Sequence, residues 1–235
     1  MCIRDSLNTV EPDAEAAAYI QTITDKFDAL QKQVVAKTSV ELTINGADGK
    51  RAVRNAETNL GDLCADAYRI LLGADIAFVN GGGVRDNIKV GDITYGDIIK
   101  VHPFGNEACL VEVTGQQIKD ALELGSAAYP GESGGFLQVS GLTYTINADI
   151  PSSVVKNDKS EFVKVDGAYR VSDIMVGGQP LDVNKTYTLA SHNYMLKDAG
   201  DGYTMFGTKN VKLLKDGVMI DNLSLIHISE PTRPY

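Results

Sequence analysis

F-V-N-G-G-G-V-R-D-N-I, residues 78–88, is the stretch on which the reading of the chain turns. An apolar run, A-D-I-A-F-V, leads into three consecutive glycines, and Arg85 follows two positions after the last of them. A Walker loop needs a lysine and a Ser or Thr at fixed offsets. A dinucleotide fingerprint needs G-x-G-x-x-G opening a helix. Neither is present. What remains is the end of a buried strand, a backbone bare enough for another group to come close, and one guanidinium nearby.

The segments around this loop mix helix and strand periods without strict alternation. Residues 11–36 read as one helix, with Pro12 in the first turn and Glu11, Asp13 and Glu15 at its positive end. Ile20, Ile23, Phe27, Leu30 and Val34 recur along it at three- and four-residue spacing. T-S-V-E-L-T-I alternates as a strand does. A-E-T-N-L-G-D-L-C-A-D-A-Y-R-I-L-L-G predicts a helix capped by Thr58 or Asn59 and ended by Gly73, with Leu60, Leu63, Ala67, Ile70 and Leu71 inward. A short helix capped by Thr94 and a strand A-C-L-V-E-V follow. The next helix carries a capping box, Thr114 to Gln117, and Gly125 reads as its terminator. F-L-Q-V-S-G-L-T-Y-T-I, A-Y-R-V-S-D-I-M-V and K-T-Y-T-L-A-S alternate as strands, and S-H-N-Y-M-L-K-D-A-G-D-G-Y-T-M-F is a loop. The expected class is α+β, with mixed β-sheets and packed helices rather than a doubly wound parallel sheet.

The chain has 235 residues, 43% apolar and 23% charged, which suits one or two globular domains. A net charge of −9 and the absence of a basic patch argue against a nucleic acid polymer as partner. No apolar run is long enough to predict a transmembrane segment. The ends stand apart. M-C-I-R-D-S, residues 1–6, and L-S-L-I-H-I-S-E-P-T-R-P-Y, residues 223–235, resemble translations of a transposase sequencing adapter read in opposite directions. They are set aside from the fold, and the rest is expected to be a piece of a longer protein. Cys64 and Cys109 have no C-x-x-C spacing and read as buried thiols.

Six motifs in order carry a resemblance: R-N-A-E-T-N-L-G-D-L, D-I-A-F-V-N-G-G-G-V-R-D, G-D-I-T-Y-G-D-I, V-H-P-F-G-N, G-G-F-L-Q-V-S-G and N-Y-M-L-K-D-A-G-D-G-Y. The chain resembles the C-terminal domain of the 5'-nucleotidase family, which includes UDP-sugar hydrolases and 2',3'-cyclic-nucleotide phosphodiesterases. The resemblance implies residues 7–36 as an interdomain linker helix and 37–222 as a substrate-binding domain. It also implies a missing N-terminal metallophosphoesterase domain as partner, with two divalent metal ions and a catalytic His–Asp pair. The D-x-H and G-N-H-E motifs of that metal site are not in this chain, so no catalytic or metal-binding residue is expected here. The family's location implies an extracellular, cell-wall or periplasmic setting.

The resemblance also names a site for a nucleotide or nucleoside. Phe104 and Tyr194 match the two aromatics that stack on the base, and Asp201 matches the acceptor for the ribose hydroxyls. Arg54 and Arg85 match the arginines that reach sugar and phosphate. Asn80 and Asn106 are placed to read an edge of the ligand, and Gly134 to let the backbone come near the base. Tyr194 is preferred over Met195, although the loop to Asp201 is one residue longer than in several relatives. His102, beside the stacking motif, is assigned no catalytic role, and His192 reads as a packed or capping residue. Two other readings stand beside a nucleotide-hydrolysing enzyme: a non-enzymatic cell-surface module, and a thiosulfohydrolase relative, which has no need of two stacking rings.

Overall fold

The computed structural model describes residues 11 and 13–218; Pro12 and both adapter-like segments lie outside the described residues. The helices are α1 (Ala14–Gln31), α2 (Asn59–Leu72), α3 (Tyr95–Val101), α4 (Gly115–Ser126), α5 (Asn193–Leu196) and α6 (Gly207–Asn210). The strands are β1 (Val34–Thr38), β2 (Ile76–Asn80), β3 (Gly91–Thr94), β4 (Ala108–Thr114), β5 (Leu137–Ser140) and β6 (Leu142–Ile146), then β7 (Val154–Lys156), β8 (Phe162–Val165), β9 (Val171–Val176), β10 (Gln179–Pro180), β11 (Thr186–His192) and β12 (Lys212–Lys215). The α+β class with mixed sheets is as expected.

The central sheet runs β12-β4-β11-β2-β5. Only β11 and β2 pair in parallel; the other neighbours are antiparallel. Strand β2 is buried along its whole length because both faces are covered. Ile76 and Phe78 enter one core with α4, while Ala77 and Val79 enter the other with α2. That double burial is why A-D-I-A-F-V reads as a continuous apolar run. Gly141, at φ +78°, splits the expected long strand F-L-Q-V-S-G-L-T-Y-T-I. Its first half is β5 of the central sheet, and its second is β6 of a separate sheet, β10-β9-β6.

Four expectations need correction. The first helix ends at Gln31, not at 36, because Val34–Thr38 pairs with β3 as a strand; the β-branched Val34 and Val35 fit that pairing better than a helix end. Of T-S-V-E-L-T-I, Thr38 is the last residue of β1 and the rest keeps only an isolated bridge, Leu42 with Ile88. On α2 the buried face carries Leu60, Cys64, Ala67, Tyr68 and Leu72, and Ile70 is exposed. Gly125 lies inside α4, where a Cβ would stand 2.8 Å from the Tyr203 hydroxyl; it serves close packing and not termination. The capping predictions hold: Thr58 accepts from the Gly61 amide at 3.2 Å, Gly73 is left-handed, and Thr94 and Thr114 each close a capping box.

Candidate functional site

The register of the central sheet gathers four loops at one edge. Strands β2 and β11 run parallel and end there, at Asn80 and His192. His192 faces Ala108, so the loop leading into β4, which carries Phe104 and Asn106, is at the same edge. Asn80 faces Leu137, which brings the loop before β5, with Gly134, alongside. Loops beyond the carboxyl ends of parallel strands are the usual ligand position in open sheets. Arg54 arrives on a fifth segment, latched by the buried Gln138. Its amide donates to the Val53 and Ala56 carbonyls at 3.0 and 2.7 Å, and its oxygen accepts from the Thr58 amide at 3.1 Å.

Between these loops lies a cleft of about 550 Å³ lined by Arg54, Asn80, Phe104, Asn106, Gly134, Tyr194 and Asp201, together with Gly82 and Gly83. Of the site residues expected from sequence, only Arg85 is not in the lining. It stands at the rim, with Cζ 5.9 Å from the Phe104 ring centre and a guanidinium N–H donating to the Gly82 carbonyl at 3.2 Å. Gly134 is in the lining, and its carbonyl accepts from the Gly82 amide at 2.7 Å.

Two aromatic rings face the cleft unburied: Phe104 is 59% exposed and Tyr194 38%, while Tyr68, Phe78, Tyr203 and Phe206 are fully buried. Met195 is also fully buried, which places Tyr194 and not its neighbour at the cleft. Gly105, at φ +65°, turns the chain just after Phe104. Asp201 is itself left-handed, at φ +54°, a conformation that Asp adopts more readily than most residues. A closed ring of bonds holds it. The Tyr194 hydroxyl donates to Oδ1 at 3.0 Å and accepts from the Asp201 amide at 3.0 Å, and the Asn80 amide donates to Oδ2 at 2.7 Å. Each carboxylate oxygen keeps capacity to accept from a ligand hydroxyl.

Charge is unevenly matched here. Arg51 is spent on Glu132, to which it is ion-paired. Arg54 is not matched in this way. Burial, then the positive charges of Arg51 and Arg85, depress its pKa, and its buried Nε has no hydrogen-bond partner. An anion at Arg54 would offset the like charges of Arg51 and Arg85.

The triple glycine has a further role that sequence reasoning did not place. Gly82 and Gly83 line the cleft, and the bareness of the run also serves close packing within the protein. A Cβ at Gly81 would lie 2.0 Å from the Val53 carbonyl, and one at Gly83 would lie 2.7 Å from Asn80 Oδ1. The histidines are packed, as the sequence reading of His192 has it. His102 and His192 each precede a cleft aromatic by two residues, both are buried, and both pack against the Tyr68 ring, at 6.3 and 6.1 Å. Burial lowers their pKa values to about 4 and about 3, so both are neutral at pH 7. The repeated His-x-aromatic spacing in H-P-F and H-N-Y was the available signal. Among the described residues no group of three or more His, Cys, Asp or Glu side chains could hold a metal ion.

Residues 34–208 match the profile of the family described as "5'-nucleotidase, C-terminal domain". The chain is 34% identical over 206 residues to the trifunctional nucleotide phosphoesterase protein YfkN of Bacillus subtilis, covering 83% of this chain and 13% of that protein. It is 37% identical over 156 residues to a 5'-nucleotidase of Vibrio cholerae, covering 66% of this chain and 24% of that protein. The solved 5'-nucleotidase precursor of Thermus thermophilus superposes with a TM-score of 0.69 at 31% identity, over 93% of this chain and 40% of that one. The chain therefore spans less than half the length of each of these relatives. On its sequence match and its fold alike, it belongs to the 5'-nucleotidase C-terminal domain family.

Proposed function

We propose that the cleft holds the base and ribose of a nucleotide and so selects the substrate of a 5'-nucleotidase-type phosphohydrolase. Hydrolysis of the phosphate ester belongs, on this reading, to a two-metal domain preceding it in a longer protein, exported from the cytoplasm as the family resemblance implies. The observation that carries the reading is the meeting, in one cleft, of two unburied rings, a tethered carboxylate and an incompletely bonded arginine. A nucleoside offers matching chemistry: a flat π face for Phe104 and Tyr194, hydroxyl donors for Asp201, and oxygens for Arg54. Arg85 at the rim and Asn106 in the wall are assigned to the sugar–phosphate side and the base edge. Stacking accepts any base, which fits a site that reads the nucleoside class rather than one base. The contribution to catalysis is positioning, since holding base and sugar sets where the phosphate stands.

Calorimetric titration of the chain with adenosine and AMP in EDTA tests this, with Tyr194→Ala as control. Binding that the substitution removes supports a metal-independent nucleoside site. A folded chain that gives no heat with either ligand favours the surface-module reading.

A further inference from the structure

His192 touches no part of the cleft lining's open surface, yet it contacts two of the residues that shape it. Its Nε2 lies 3.1 Å from Asn80 Oδ1, and its ring stacks on Tyr194 with centres 6.0 Å apart and planes 29° apart. Asn80 and Tyr194 are the two side chains bonded to the Asp201 carboxylate. The bond directions follow from chemistry. An ionised carboxylate only accepts, so Asn80 must turn its amide nitrogen to Asp201 and its oxygen to His192. That oxygen can only accept, so the imidazole must carry its proton on Nε2 and leave Nδ1 bare. His192 Nδ1 is indeed buried without a hydrogen-bond partner. A flipped Asn80 amide would set oxygen against carboxylate and N–H against N–H.

We infer that His192 is a positioning residue: by donating from Nε2 to Asn80 it fixes the amide, and through the amide it orients the Asp201 carboxylate in the cleft. Gly83 belongs to the same device, because a side chain there would strike Asn80 Oδ1 at 2.7 Å. The consequence for ligand binding rests on the nucleoside reading above; the proton placement does not.

Two measurements on the 235-residue chain test it. Long-range nitrogen–proton NMR of the imidazoles reads the tautomer directly, and a single Nε2–H form of His192 is expected. An Nδ1–H form, or exchange between the two, overturns the relay. Adenosine titrations then compare His192→Phe, which keeps a ring but no donor, with His192→Gln, which restores an N–H near Nε2. The Phe variant should bind about tenfold more weakly, the factor that corresponds to losing one buried hydrogen bond, and Gln should recover most of that loss. Equal weakening by both variants overturns the positioning role in favour of simple packing. Should His192→Phe not fold, the tautomer and the Gln variant decide. A wild-type chain that gives no heat with adenosine defeats the nucleoside reading and the binding half of this inference. A bare Nε2 defeats the relay alone, so the two failures are told apart.

Discussion

Tyr194 does two things in this cleft, and its ring and hydroxyl can be separated experimentally. The residue is 38% exposed and lines the cleft; its hydroxyl closes the bond ring with Asp201. Tyr194→Ala and Phe104→Ala should each weaken adenosine binding by the ~1–3 kcal/mol of a lost base stack, read by calorimetry. Tyr194→Phe should keep the stack and lose only the tether, for a smaller change. A different residue governs pH response. Asp62, in the first turn of α2, has its pKa raised to about 7 by burial, then by Glu57 and Asp66. The helix N-terminus favours a carboxylate there, but not enough to offset those causes. A raised acid pKa means that the folded state holds a proton the unfolded state has released. Ionised Asp62 therefore costs stability, and the cost grows as pH rises from 3.8 to about 7. Asp62→Asn should raise the melting temperature at pH 8, with the gain shrinking toward pH 5 in thermal scans.

Among elements, the segment carrying Arg54 is tied to β5 by one buried side chain and to the loop before β5 by the Ser133 amide on the Arg54 carbonyl. Gln138 satisfies the Val53 and Ala56 carbonyls and the Thr58 amide. Gln138→Leu keeps the volume and strands those three groups, at about 1–3 kcal/mol each where water cannot replace the bond. Urea unfolding should show a loss of at least that size, and adenosine binding should fall with it as Arg54 is freed. Helix α1 is the opposite case. None of its residues is buried, and Ile20, Ile23, Phe27 and Leu30 lie exposed along it. Deleting residues 1–31 should shift the melting temperature by no more than about 4 °C, the size expected of a change near 1 kcal/mol. A collapse of the fold on that deletion would show that α1 belongs to the core.

At the scale of the whole molecule, two imidazoles are buried neutral beneath one edge of the sheet. Burial lowers their pKa values to about 4 and about 3 from the ordinary 6.5, so the unfolded chain takes up protons first as pH falls. Stability from this source is complete above pH 6.5 and declines from there down through the folded-state values. Because Asp62 acts in the opposite sense over this range, the test uses Asp62→Asn as background, where denaturant midpoints measured from pH 7 to pH 4.5 should fall. The decline should be smaller in His192→Gln, which carries one fewer such group.

Local chemistry was enough for much of this. Thr58, Thr94 and Thr114 announced their helices because a cap bonds within its own turn, and the apolar run before Asn80 announced a strand covered on both sides. The motif residues were legible too, since Phe104, Tyr194, Asp201 and Arg54 stand in short recognisable contexts. Sequence alone could not decide what depends on segments far apart in the chain. Val34 and Ala36 left the helix because β3 was there to pair with them. The face of α2 turned because the sheet offered space for Cys64 and Tyr68, not for Ile70. Gly81 is bare to admit the Val53 carbonyl, and His192 found Asn80 only when β11 settled beside β2. Capping and periodicity are written within a few neighbouring residues, whereas close approach and hydrogen-bond direction exist only after strand register has brought distant residues together.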